Sequence, residues 1–199
     1  MIHFDPVPEP REYAAARQAG LQWLEQHPPA SRPRDYWSQF KSELAAGFRW
    51  LCAYSAMFEP VGTVDHFISC ERDRTLAYEW SNFRYASAWI NSSKQTADDA
   101  VLDPYEVEDG WFEIVLPSLE LRLSDRIPPA LWTKAEYTLR RLHLRDDERV
   151  LRQRAEWYRM YREGELTLDG LRAKTPLIAR AVERNSESAE SDDASHWVN

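Results

Sequence analysis

Cysteine is scarce in this chain. Cys52 and Cys70 are the only two among 199 residues, too few for a disulfide framework, so a reducing compartment is the expected setting. Long apolar runs are missing as well. Nothing approaches the ~20 residues that a bilayer span requires, and the start lacks the basic, apolar, small-residue succession of an export signal. A soluble, cytoplasmic protein with no membrane partner is expected. Basic charge is in deficit too: 25 Lys and Arg stand against 33 Asp and Glu, for a formal charge of -8. Such a balance excludes a protein that grips nucleic acid by bulk electrostatics alone. No internal repeat is present, which sets solenoids and propellers aside.

Large aromatics are abundant, with nine Trp, nine Tyr and seven Phe, and the length suits one packed domain with helical flanks. Residues 1–50 read as N-terminal helices. Arg11 to Gln26 has no breaker but Gly20 and ends at His27-Pro28-Pro29. A second helix is predicted after a cap at Asp35, because Trp37, Phe40, Leu44, Phe48 and Leu51 recur at three- and four-residue steps and form one stripe. Residues 51–100 change character. Val61 to Ile68 is β-rich, with Gly62 marking a bulge or a close approach. Phe83 to Ala86 reads as a second short strand, and Ala88 to Gln95 as one or two helical turns.

Residues 101–184 complete the same domain. Trp111 to Leu116 and Leu119 to Leu123 alternate as a further hairpin, and Pro129 opens a helix carrying Leu131, Ala135, Leu139 and Leu142. Asp146 is the expected cap of a longer helix with Val150, Leu151, Trp157 and Met160. A last helix is expected from about Asp169 to Arg184, kinked or split at Pro176. Residues 185–199 hold Glu187, Glu190, Asp192 and Asp193 with no Lys or Arg and read as a disordered acidic tail.

Three pieces in the middle carry chemistry: Val64-Asp65-His66-Phe67, Trp80-Ser81-Asn82-Phe83 and Asn91-Ser92-Ser93-Lys94. Cutting a phosphodiester needs an activated water and neutralisation of charge on the phosphate. A neutral imidazole is the natural base near pH 7, and carboxylate with amide oxygen suits Mg²⁺. Strand geometry raises one objection. Adjacent Asp65 and His66 leave opposite faces of a regular strand and share a site only if it curls or bulges.

In order and character the three pieces resemble the signatures of the HNH, or ββα-metal, endonucleases. The resemblance covers about Leu51 to Gln95. It implies an α+β fold with a ββα-metal centre inside a mainly helical domain. It also implies Asp65 and Asn91 as ligands of Mg²⁺ or Mn²⁺, His66 as general base and Asn82 as the residue that ties the hairpin loop. Arg84 and Lys94 are further candidates for phosphate contact. Many family members, including small bacterial ones linked to anti-phage defence, carry a zinc knuckle of two Cys-x-x-Cys pairs. Here those places hold Cys52-Ala-Tyr-Ser55 and Ser87-Ala-Trp-Ile90. One ligand of four remains, so no structural zinc is expected. Packing of Trp80, Phe83, Tyr85 and Trp89 is the expected substitute.

The resemblance implies cleavage of DNA, as the effector of a defence system with an ATPase or sensor partner. Two alternatives stand beside it: RNA cleavage by the same centre, and a non-catalytic interaction subunit on a degenerate HNH scaffold. The run Arg140, Arg141, Arg145, Arg149, Arg152 and Arg154, interleaved with Asp146, Asp147 and Glu148, reads as a salt-bridged surface or as a rail for a DNA backbone.

Overall fold

A computed structural model describes residues 1–27 and 32–195. It is a mixed α+β arrangement of seven α-helices and two separate two-stranded antiparallel sheets among the described residues. Pro28 and Pro29, expected to stop the first helix, lie outside those residues.

Helix α1 spans Tyr13–Gln26, and Gly20 in its middle lies against the Tyr78 ring, where a Cβ would stand 2.5 Å from the ring atoms. The usual penalty of glycine in a helix is the condition of this close approach. The predicted second helix is shorter than its stripe. Asp35 accepts the Trp37 and Ser38 N–H groups at 3.2 and 2.9 Å and starts a 3-10 turn, Ser38–Phe40, which leads into α2, Lys41–Gly47. Positive φ at Arg49 and Trp50 then ends the helical path. Phe48 and Leu51 still reach the core, but from the turn that follows the helix.

Strands β1, Thr63–His66, and β2, Phe83–Ala86, pair antiparallel in four rungs, with Asp65 opposite Arg84 and His66 opposite Phe83. Helix α3, Ala88–Lys94, follows β2 directly. The strand, loop, strand, helix order expected from the sequence is therefore present. Gly62 marks a close approach: a Cβ there would lie 2.5 Å from Tyr85 Cζ and 2.9 Å from the Ala86 carbonyl. Phe83 and Tyr85 are fully buried and Trp80 nearly so, and each such ring contributes roughly 1.5–3 kcal/mol.

The second hairpin pairs β3, Phe112–Val115, with β4, Glu120–Leu123. One correction follows in the C-terminal half. Helix α4 spans Trp132–Arg141, and α5, Glu148–Arg162, is capped by Asp147 rather than Asp146, its carboxylate accepting the Arg149 N–H at 3.0 Å. The last helical stretch is split at Pro176, as expected: α6, Leu168–Lys174, stops at Thr175, and α7, Pro176–Ser195, starts with proline in the first position, where its missing N–H is no loss. Helix α7 runs into the acidic segment after 184, which holds no Gly or Pro to end the path begun by Leu177, Ile178 and Ala181. Residues 196–199 lie outside the described set. No helix among the described residues is long and apolar enough to cross a membrane.

Candidate functional site

The three sequence pieces meet around β1, β2 and α3. Asn82 sits at the end of a 3-10 turn, Trp80–Asn82, just before β2. Its Oδ1 accepts the Ile68 N–H at 2.8 Å, and its Nδ2 donates to the Ile68 and Leu76 carbonyls at 2.9 and 3.2 Å. Both N–H donors and the oxygen of this buried amide tie the long β1–β2 loop. Asp98, missed in the sequence, fastens the same loop by accepting the Ser69 N–H at 2.6 Å.

The ladder through Asp65 and His66 is regular, so the geometric objection raised by strand periodicity holds: the two side chains meet different neighbours. His66 is half-buried, with Trp37 and Phe83 edge-on at centroid distances of 4.7 and 5.0 Å. Its Nε2 lies 2.8 Å from the Ala77 carbonyl. A carbonyl only accepts, so Nε2 carries the proton and Nδ1 is the free acceptor of the neutral ring. Burial pushes the His66 pKa below its ordinary value, against the pull of the Ala77 hydrogen bond and the Asp65 charge. The imidazole is neutral at pH 7.

Asp65 is buried on the other side of β1. Its Oδ2 accepts the Tyr54 hydroxyl at 2.5 Å, and its Oδ1 accepts Lys94 Nζ at 3.1 Å. Burial raises the carboxyl pKa, while the Lys94 ammonium and the two hydrogen bonds work to lower it. The Tyr54 phenol is held well above its usual range by burial and then by the Asp65 charge, so it remains a donor. Lys94 is fully buried, and its other two hydrogen bonds go to the His66 and Phe67 carbonyls at 2.8 and 3.0 Å. Three N–H groups thus have three oxygen acceptors.

Arg84 and Lys94, the two candidates for phosphate contact, are both buried. Lys94 is enclosed and saturated. Arg84 is 3% exposed and grips Asp103 bidentately at 2.8 and 2.5 Å, with Nη1 on the Ser81 and Phe83 carbonyls and its Cζ 3.7 Å from the Tyr105 ring centroid. Burial disfavours the Arg84 charge, but Asp103 more than restores it and the pKa ends above its ordinary value. Neither side chain meets solvent phosphate in this arrangement. Asn91 is half-buried, and its Nδ2 donates to the Val64 carbonyl at 3.4 Å, which pins α3 to β1.

Two of the places where a zinc knuckle would stand meet. Cys52 Sγ accepts the Ser87 N–H at 3.4 Å and lies 3.8 Å from the Ser87 hydroxyl. Ser55 and Ile90 are buried as well. A buried isoleucine in the fourth place has no donor atom to offer a metal. The arginine run is largely paired: Arg145 with Glu136, Arg149 with Asp147, and Arg152 with Glu148. Arg154 is the exception and a correction. It is 1% exposed and donates to three carbonyls in the interior. Tyr54 and Asp103, the partners that decide the fate of Asp65 and Arg84, carry no signal in the sequence, because each is defined by a tertiary contact.

As arranged, the residues do not fit a divalent cation at Asp65. Both carboxylate oxygens already have donors, and an ammonium stands 3.1 Å from one of them, where a second positive charge is repelled. No group of three or more His, Cys, Asp or Glu side chains among the described residues is placed to hold a metal. No protein-family model matches the chain, and no curated protein matches it significantly.

Proposed function

We propose that this chain is an HNH-type nuclease whose substrate is DNA and whose general base is His66. The observation that supports the reading is the ββα unit itself: β1, β2 and α3 assemble in the expected order, with Asn82 tying the loop and Asn91 joining α3 to β1. His66 has the properties of a base, being neutral, fixed in one tautomer by the Ala77 carbonyl and left with Nδ1 to accept a proton. In this reading Nδ1 takes the proton of a water that attacks phosphorus, and the displaced oxygen leaves on one strand of the product. No step is assigned to Mg²⁺ or Mn²⁺, because Asp65 is closed to either. The formal charge of -8 leaves much of the affinity for DNA to a partner, and an ATPase or sensor subunit suits that part.

A second reading is favoured by a specific observation: Asp65, Arg84 and Lys94 all spend their charges on internal partners. In it the chain keeps the scaffold as a non-catalytic interaction subunit. Purified protein is incubated with supercoiled plasmid and with structured RNA, with Mg²⁺, with Mn²⁺ and with chelator, beside His66→Ala. Nicking by the wild type alone supports the DNA nuclease, and cutting of RNA alone moves the substrate to RNA. Failure on every substrate leaves the scaffold reading in its place.

A further inference from the structure

The Lys94 ammonium is surrounded in the manner of a bound cation. Its ligands are Asp65 Oδ1 at 3.1 Å and the His66 and Phe67 carbonyls at 2.8 and 3.0 Å, with the Phe67 ring 5.7 Å away. All three contacts are oxygens, one is a carboxylate, and the group is fully buried. That is the donor chemistry of a hard-cation site. The stem that delivers the ammonium comes from the last residue of α3, so the helix is drawn onto β1 from one end by Lys94 and from its middle by Asn91. Tyr54, which donates to the other Asp65 oxygen, completes the enclosure.

We propose that Lys94 is a built-in cation that occupies and closes a divalent-cation site formed by Asp65 and the His66 and Phe67 carbonyls. Removing the ammonium opens that site, and the wild-type chain excludes Mn²⁺ from it. The inference stands on the geometry of the centre and is independent of whether the protein cuts nucleic acid, since its readout is metal binding.

The test uses full-length protein and Mn²⁺ alone, followed by electron paramagnetic resonance of free Mn²⁺ and by titration calorimetry. Wild type, Lys94→Ala, Lys94→Gln and the double variant Asp65→Asn with Lys94→Ala are compared. Removal of a like charge from direct contact is expected to tighten Mn²⁺ binding at least about 100-fold, and the Asp65→Asn change is expected to abolish the gain. Lys94→Gln keeps a donor for the carbonyls while dropping the charge, and it protects the test against failure of Lys94→Ala to fold. If both single variants unfold, recovery of their circular dichroism on adding Mn²⁺ supports the proposal, and no recovery overturns it. Asp65-dependent Mn²⁺ binding by wild type as tight as in the variants overturns it, as does a folded Lys94→Ala or Lys94→Gln protein that gains no affinity.

Discussion

Arg154 offers the sharpest test of how this domain is held together. Its guanidinium is carried by α5 into the interior, where Nη1 donates to the Leu119 and Arg145 carbonyls at 2.9 and 3.0 Å and Nη2 to the Leu144 carbonyl at 2.6 Å. Burial lowers its pKa to about 10, and it stays charged at neutral pH. The Arg145 carbonyl has a second donor in the Leu121 N–H, so Arg154→Ala leaves the Leu119 and Leu144 carbonyls as the unsatisfied pair. Each buried acceptor without a donor costs roughly 1–3 kcal/mol, or roughly 2–6 kcal/mol together. Domains of this size have only about 5–15 kcal/mol in total. With a urea dependence of about 2 kcal/mol per molar, the midpoint is expected to fall by about 1–3 M. Tryptophan fluorescence during urea unfolding measures it. Arg154→Met keeps most of the volume and isolates the polar loss from the packing loss, and Arg154→Lys is expected to fall between wild type and Ala. A midpoint shift below about 0.3 M for Arg154→Ala, a small fraction of what two orphaned acceptors cost, would refute the reasoning and put the arginine back on the surface.

Three further outcomes are expected. His66 has a folded pKa below its ordinary 6.5, so the unfolded chain takes up the proton first; its contribution to stability is present above pH 6.5 and is lost as the pH falls through the window beneath it. Melting curves from pH 7.5 downward should therefore drop more steeply for wild type than for His66→Gln, by at most about 1.4 kcal/mol per pH unit, and parallel profiles would count against the assignment. Asn82→Ala strips the donor of the Ile68 carbonyl and the acceptor of the Ile68 N–H, costing roughly 2–4 kcal/mol, and calorimetry should find the melting point down by roughly 5–15 °C. Deleting everything after Arg184 removes the acidic end of α7 while keeping Leu177, Ile178 and Ala181 in the core; the melting point should move by less than about 3 °C, as surface deletions do, and a larger fall would mean that the acidic end docks.

Periodicity made the ββα unit legible, since alternation over Val61 to Ile68 and Phe83 to Ala86 and the short stripe beyond are local signals, and the hairpin at Phe112 to Leu123 appeared for the same reason. Alternation also raised the separation of Asp65 from His66, a separation the four-rung ladder retains. Long-range pairing was not legible. The Asp65–Lys94 contact spans 29 residues and the Arg84–Asp103 contact 19, and nothing in the spacing chooses those partners over solvent. Arg154 was hidden by its company: the arginines around it face outward, and one helical position decides that this one points in. At the end of α7 two local signals compete, since acidic, Ser-rich composition argues for disorder while no residue in it stops a helix already under way.

Lys94 also changes what kind of object the centre is. An ion taken from solution is held only to the extent that its concentration exceeds its dissociation constant, and a chelator or a competing metal can empty the site. A counter-ion attached to the backbone by its own side chain is always present at the effective concentration set by its tether. The charge on Asp65 is thus balanced from the moment α3 packs onto β1, whatever the supply of metal around it.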